Sequence, residues 1–363
     1  MRRGGGPGPR GRKGPVLITG GAGFIGTNLA DRLLGEGREV IVFDNLSRRG
    51  VDRNAQWLAA RHGSRVRIVE GDVRDGAALA RVARIAAQVF HFAAQVAVTS
   101  SLVDPVEDFE VNARGTLNLL EALRGRSEPA PLVFTSTNKV YGDLDDLELD
   151  LADTRYVPVD PAIRAHGVGE DRSLSFCSPY GCSKGTADQY VLDYARTFRM
   201  PAAVFRMSCI YGPHQCGTED QGWVAHFVIR ALQDEPVTIY GDGLQVRDVL
   251  FVDDLVDAFL LAQSHMDRVS GRAFNMGGGP ASTTSLLELL DRIEALHGGR
   301  PRFERDAWRA ADQRYYVSDT RRFRALTGWQ PKTALTTGLM ALYQWLLGAR
   351  PQAVPVAAGT MAS

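Results

Sequence analysis

From residue 16 to residue 135, short apolar runs alternate with stretches of helical spacing, and that rhythm constrains the fold more than any other feature of the chain. Val16-Leu17-Ile18-Thr19 runs into glycines, a helical pattern follows over 24–34, and Val40-Ile41-Val42-Phe43 is the next apolar run. The alternation continues through 66–69, 89–92, a helical 109–123 and 132–135. Unbroken apolar strands between amphipathic helices belong to a parallel sheet covered on both faces. The expectation is a doubly wound α/β fold of the Rossmann type.

The chain has 363 residues, enough for one large α/β unit or for two lobes. Its texture changes after Arg206, where turn-rich stretches at 211–213 and 240–243 interrupt shorter elements and a long helix is expected over 284–296. The expected division is a first lobe over 15–205, with 246–272 returning to it because 249–252 reads as a buried strand. A smaller second lobe takes 206–245 and 273–348. Residues 1–14 read as a flexible basic arm and 349–363 as a disordered tail.

Basic and acidic residues number 42 each, which excludes a surface built as a whole for nucleic acid or anionic membrane. No apolar run reaches the ~20 residues of a spanning helix. The basic arm spreads its few charges among glycines without aromatic residues, so it reads as a solubilising segment rather than a nucleic-acid contact. The opening residues lack the apolar stretch of a secretory signal. Cys177, Cys182, Cys209 and Cys216 form no CxxC pair and have no histidine at zinc spacing, so reduced thiols in a cytoplasmic protein without a metal site are expected.

Thr19-Gly20-Gly21-Ala22-Gly23-Phe24-Ile25-Gly26 closes the first strand and opens the first helix. Gly20 permits the tight turn, Gly23 lets a pyrophosphate approach the backbone, and Gly26 lets the helix press on the sheet. Asp44 follows 18 residues after Gly26, where a carboxylate accepts hydrogen bonds from an adenosine ribose and repels a 2′-phosphate. The pattern favours NAD over NADP, although Arg48 and Arg49 stand near enough to rescue a phosphate. Gly71-Asp72-Val73 ends the third strand where adenine would lie. Phe92-Ala93-Ala94 leaves room for the cofactor, and His91 reads as a core histidine.

Tyr180 and Lys184 stand four apart on a helical stretch, one above the other. A lysine ammonium beside a phenol, together with the positive nicotinamide ring, favours the phenolate, which can take a proton from a sugar hydroxyl as hydride leaves its carbon for NAD. The loop 135–142 after the fifth strand lies at the carboxyl edge of the sheet, where ligands of such folds sit.

The ensemble TGGAGFIG, FDN, GDV, HFAA, VNARGTLNLLEA, STNKVYGD, SPYGCSK, RDVLFVDDL and FNMGGG resembles the extended short-chain dehydrogenase/reductases, the nucleotide-sugar epimerases and dehydratases, over about 16–347. The resemblance implies Thr137, Tyr180 and Lys184 as catalytic residues. It implies NAD contacts from Gly20, Gly23, Phe24, Ile25, Gly26, Asp44, Asn45, Ser47, Arg48, Asp72, Val73, Phe92, Ala93, Ala94, Gln95, Asn112, Thr135, Tyr180 and Lys184. Substrate contacts are implied from Thr137, Asn138, Lys139, Ser208, Cys209, Arg247 and Arg309, with the two arginines gripping a diphosphate. Dehydratases of the family carry an Asp–Glu pair where this chain has Asn138 and Lys139, so dehydration is not expected. Decarboxylating members carry a Glu in this loop, also missing here. STNKVYGD followed by SPYGCSKGTADQYVLDYAR, with FDNLSRRG and DQGWV, most resembles the 2-epimerase branch, with a 4-epimerase as the alternative. The implied partner is a nucleotide-diphosphate sugar whose base and hexose the residues leave open. A homodimer through the helical regions 109–123 and 183–199 is the expected assembly.

Overall fold

A computed structural model describes residues 14–349; apart from Gly14 and Ala349, the expected basic arm and tail lie outside the described residues. Seven parallel strands form the main sheet: β1 (Val16–Thr19), β2 (Val40–Asp44), β3 (Val66–Glu70), β4 (Gln88–His91), β5 (Leu132–Thr137), β6 (Ala202–Met207) and β7 (Ala273–Met276). Their order is β7-β6-β5-β4-β1-β2-β3. The order reverses between β1 and β4, which opens a crevice at the carboxyl ends of the strands.

Two packed layers explain why these strands read as continuous apolar runs. Val16, Ile18, Val40 and Val42 face the helices Phe24–Gly35 and Val252–Ser264, whose Leu29, Leu33, Leu255 and Phe259 complete that core. Leu17, Ile41 and Phe43 point the other way, onto Leu119 and Leu123 of the helix Gly115–Arg124, in a core that also holds Val191 of the helix Pro179–Thr197. With both faces dry, β1 and β2 leave no position exposed, whereas the edge strand β3 exposes Arg67 and Glu70.

The second lobe is organised around the strand Val246–Phe251, buried at all six positions. It pairs antiparallel with Thr283–Ser285 and parallel with Tyr315–Tyr316 and Cys209–Tyr211. The helices Trp223–Gln233, Leu286–His297 and Leu335–Gly348 close a separate apolar core over it. Ser285 and Glu288 form a capping box at the start of the middle helix.

The division differs from the expected one at two strands. The segment 246–251 is a buried strand, but its partners lie in the second sheet; only the helix after it returns to the main sheet. Ala273–Met276, expected in the second lobe, is β7 and pairs with β6. A buried run carries no mark of which sheet it joins, because pairing partners come from distant segments. Phe323 and Trp329 return once more to the core of the first lobe, so the chain crosses between the lobes more often than its local texture indicates.

Candidate active site

One cleft of about 800 Å³ runs along the carboxyl edge of the main sheet and up the face of the second lobe. At its floor, Gly20 has φ +66°, and a Cβ there would stand 2.6 Å from the amide nitrogen of Ala93. A Cβ on Gly26 would collide with the carbonyl of Gly20. Gly23 is different: only the Gly20 carbonyl, at 3.1 Å, lies near its missing Cβ. It is the N-cap of the first helix and offers no side-chain acceptor, so backbone donors and the positive helix end face the cleft.

Asp44 ends β2 with both carboxylate oxygens engaged, by the amides of Ala22 and Leu46, each at 3.0 Å. Burial raises its pKa against those hydrogen bonds. Asp72 is clamped by the Arg74 guanidinium at 2.8 and 2.9 Å and by Asn45 Nδ2 at 3.1 Å, which holds it down at about 2. Asn45 also ties down Ser47, and Arg48 reaches across the cleft to donate to Gln221 Oε1 of the second lobe. Phe92, Ala93, Ala94 and Gln95 line the same cavity. A glycine cradle at a helix N-terminus with a fixed carboxylate 18 residues on fits a dinucleotide.

Asn112, expected to touch the cofactor, does not line the cleft. It is 1% exposed, accepts from the Gln95 amide at 2.9 Å, and donates to the Gln95 carbonyl at 3.1 Å and to Ser183 Oγ at 3.0 Å. Its amide has donors and acceptors in the fold on every side, so it braces the loop after β4 against the helix that carries Tyr180. His91 is fully buried between the hydroxyls of Thr19 and Thr116, and burial drives its pKa down to about 3. It is a neutral core residue.

The helix Pro179–Thr197 begins with Ser178 accepting from the Gly181 amide and with proline at its first turn, and this start aims Tyr180 into the cleft. The Tyr180 hydroxyl is hydrogen-bonded to Thr137, and Lys184 donates from Nζ to the Thr135 carbonyl at 2.6 Å. Thr135 and Thr137 are the last residues of β5 on the same face. The three expected catalytic side chains therefore meet at one strand end.

Their electrostatics correct one expectation. Burial pushes the Tyr180 phenol up to about 12; Asp108 raises it too, while the Thr137 hydrogen bond and Arg48 pull against that. Burial brings Lys184 down to about 7 despite the nearby carboxylates of Asp188 and Asp108. Here the lysine spends its ammonium on a backbone carbonyl, so desolvation, not the neighbouring cation, sets the phenol's affinity for its proton.

The second-lobe wall brings together residues that sequence reasoning saw singly. Asn138 donates to Gln313 Oε1 at 3.2 Å, and Lys139 donates to the Ala311 carbonyl at 3.0 Å with Asp312 at 3.7 Å. Arg247 meets the same Asp312 carboxylate at 2.7 Å, not its sequence neighbour Asp248, which is buried against Ser208 and the Gly279 amide. Arg309 lies 3.7 Å over the Tyr240 ring and donates to the Glu219 carbonyl. Cys209 accepts from the Trp223 indole at 3.2 Å. Asp312, Gln313, Tyr240 and Gln221 were missed because nothing local marks them; their partners lie 21 to 175 residues away.

The model of the NAD dependent epimerase/dehydratase family matches residues 16–277. The chain belongs to that family. Among relatives of this family, the CDP-paratose 2-epimerase of Salmonella typhi is 42% identical over 337 residues, which is 91% of this chain and 98% of that one. The UDP-glucose 4-epimerase of Mycolicibacterium smegmatis is 32% identical over 89% of this chain and 96% of its own length. The structure of the Thermus thermophilus UDP-glucose 4-epimerase in complex with NAD superposes with a TM-score of 0.77 at 31% identity, covering 93% of this chain and all of that one. The epimerase/dehydratase chain described here thus shares with that enzyme both lobes, not the sheet alone.

Proposed function

We propose that the protein epimerises a nucleotide-diphosphate hexose at C2, through a transient 2-keto sugar. The likeness of nearly the whole chain to a CDP-paratose 2-epimerase carries this reading. It is supported by the loop after Thr137, which presents Asn138 and Lys139 and no carboxyl pair for eliminating water.

In this reading Thr137 and Tyr180 hold the C2 oxygen between their hydroxyls, and Tyr180 takes the hydroxyl proton. NAD, when bound, takes the C2 hydride and returns it, and its positive ring lowers the proton affinity of the phenol. Lys184 helps hold the cofactor beside Tyr180. Gly20 to Gly26, Asp44 and Asp72 seat the dinucleotide. Arg247, freed from Asp312, grips the substrate diphosphate with Arg309 as a second contact. Asn138 and Lys139, locked to 311–313, form the wall that sets which sugar carbon meets the cofactor. After oxidation the ketone rotates, and Tyr180 gives the proton back as the opposite face is reduced.

We extend the reading to a homodimer in the cytoplasm. Val103, Val106 and Phe109 are exposed on two short helices that pack on the helix Pro179–Thr197, which itself exposes Tyr190 and, at its C-cap, Phe198, apolar surface suited to a second copy. All four cysteines are free, and among the described residues no helix is long and apolar enough to cross a membrane.

Candidate nucleotide sugars deuterated at C2 or at C4 test the regiochemistry. The reading expects retained label and an isotope effect with the C2 compound alone. An effect confined to C4 makes the protein a 4-epimerase, and loss of label to solvent rules out hydride transfer altogether.

A further inference from the structure

The chain uses lysine four times, at Lys13, Lys139, Lys184 and Lys332, against 38 arginines. Two of the four line the cleft. Where an arginine-rich chain keeps a lysine in a dry site, the compact, titratable amine is a reason to keep it. Lys184 is 3% exposed, with Nζ 4.3 Å over the Phe134 ring and its hydrogen bond going to a backbone carbonyl. That setting favours the neutral amine, so a charged Lys184 needs a carboxylate held close and held ionised.

Asp188 meets that need. It sits one turn further along the same helix and is fully buried. Its two oxygens accept from Arg206 Nε at 2.9 Å and Nη2 at 3.0 Å, a bidentate pair inside the protein. Arg206 projects from β6, paired in register with Ser136 of β5 and Asn275 of β7. Its third nitrogen donates to the Tyr141 hydroxyl at 3.1 Å, which donates to Asn275 Oδ1 at 2.7 Å. The pair is thus anchored to three strands and to the turn that follows Thr137.

We propose that Asp188, held in place by Arg206, is a positioning residue that raises the affinity of Lys184 for its proton beside Tyr180. This rests on the Tyr–Lys chemistry proposed above only for its consequence, not for its geometry. The other groups facing Lys184 do not replace it. Asp108, from the helix Pro105–Phe109, spends its carboxylate on Ser183 and Asn112. His91 of β4 is neutral, and Tyr180 holds its proton. Lys139, from the turn after β5, is directed to Ala311 and Asp312. Glu121 lies at the far end of the helix with Tyr194 and Arg124. Of the carboxylates around Lys184, Asp188 raises its affinity for a proton most.

The test is the titration of lysine side chains in the holoenzyme, by NMR of protein labelled at lysine Cε. Only four signals arise, and Lys184→Met assigns the one that matters. Asp188→Asn should move the Lys184 titration down by about one unit or more, because Arg206 is then left as an unpaired cation nearby. Arg206→Gln should move it up, since the carboxylate then answers to Lys184 alone. Shifts of opposite sign are not produced by general damage, and Arg206→Gln carries the test if Asp188→Asn does not fold. Asp188→Glu should restore the titration. An unmoved signal in a folded Asp188→Asn protein, or shifts of the same sign in both variants, overturns the proposal. The alkaline limb of the kcat profile is read alongside. If the NMR titration moves and that limb does not, the charge relay stands and the catalytic role assigned to Lys184 falls.

Discussion

The two halves of the cleft, one proposed for the cofactor and the other for the substrate, are built from different material. The cofactor half is made of backbone: a glycine turn, a helix end, and carboxylates fixed by amides within a short stretch of chain. The substrate half is made of side chains from 137–139, 208–209, 247 and 309–313, which meet only after the second lobe folds back. A backbone cradle constrains residue types and so repeats across a family. A side-chain wall can be changed one residue at a time, and substrate and regiochemistry vary there without disturbing the cofactor.

The sharpest way to break this comparison is at the junction, where Tyr180 serves both halves. Tyr180→Phe should lower kcat by about 10³-fold, the scale of a lost acid–base group, while bound NAD is unchanged in the purified protein. Near-normal turnover would take the phenol out of the chemistry. In the cofactor half, two glycines should separate fold from binding. Gly20→Ala places a Cβ at positive φ against the Ala93 backbone and should cost about 1–2 kcal/mol in urea unfolding as well as the cofactor. Gly23→Ala meets only one protein atom, at 3.1 Å, and should lose NAD with stability nearly intact. Equal losses of stability in both would mean that Gly23 serves packing rather than a ligand. In the substrate half, Arg247→Met should raise KM for the nucleotide sugar about 10- to 100-fold, the worth of a charged hydrogen bond, with NAD content unchanged. A fall in NAD content in that variant would show that the halves are not separable.

What was legible in the sequence follows the same line. The sheet rests on local periodicity and is where the chain said it would be; the glycine cradle, Asp44 and the Tyr180–Lys184 pair rest on local spacing and line one cleft. Asn112 was misread because a residue that braces a site and one that touches it look alike in a motif; only its packing separates them. The pairing of 246–251 and 273–276, and the meeting of Lys139 and Arg247 on Asp312, depend on contacts across 35 residues or more, for which no local pattern exists. The protein's own groups leave Tyr180 raised, so the expected acidification falls to the positive nicotinamide ring that the reading also invoked. Spacing on a helix reports proximity, whereas burial, which outweighs it here, is a property of the finished fold.

The two cleft lysines give the smallest and most direct measure of that burial, one in each half. Lys184 is brought down to about 7 from 10.5, and Lys139 is lowered by burial while Asp312 opposes the shift. Between the folded and unfolded values of Lys184, the unfolded chain holds a proton that the folded chain has released. The share of stability set by Lys184 should therefore rise with pH across that window, by about 2 kcal/mol from pH 7 to pH 9, against the thiols of Cys177, Cys209 and Cys216, which burial pushes up and which act with the opposite sign towards pH 9. Staying below pH 9 avoids the tyrosines, since Tyr180, Tyr194 and Tyr315 are pushed up to about 12 in the folded chain and act with the opposite sign nearer pH 10. Lys184→Met should remove most of the rise, read as the difference between urea unfolding curves at the two pH values. Lys139→Met should remove less of it, because Asp312 keeps that ammonium paired. If the two variants flatten the curve equally, the carboxylate on the substrate wall does not hold its lysine as the hydrogen bonds imply, and the contrast between the halves loses its electrostatic part.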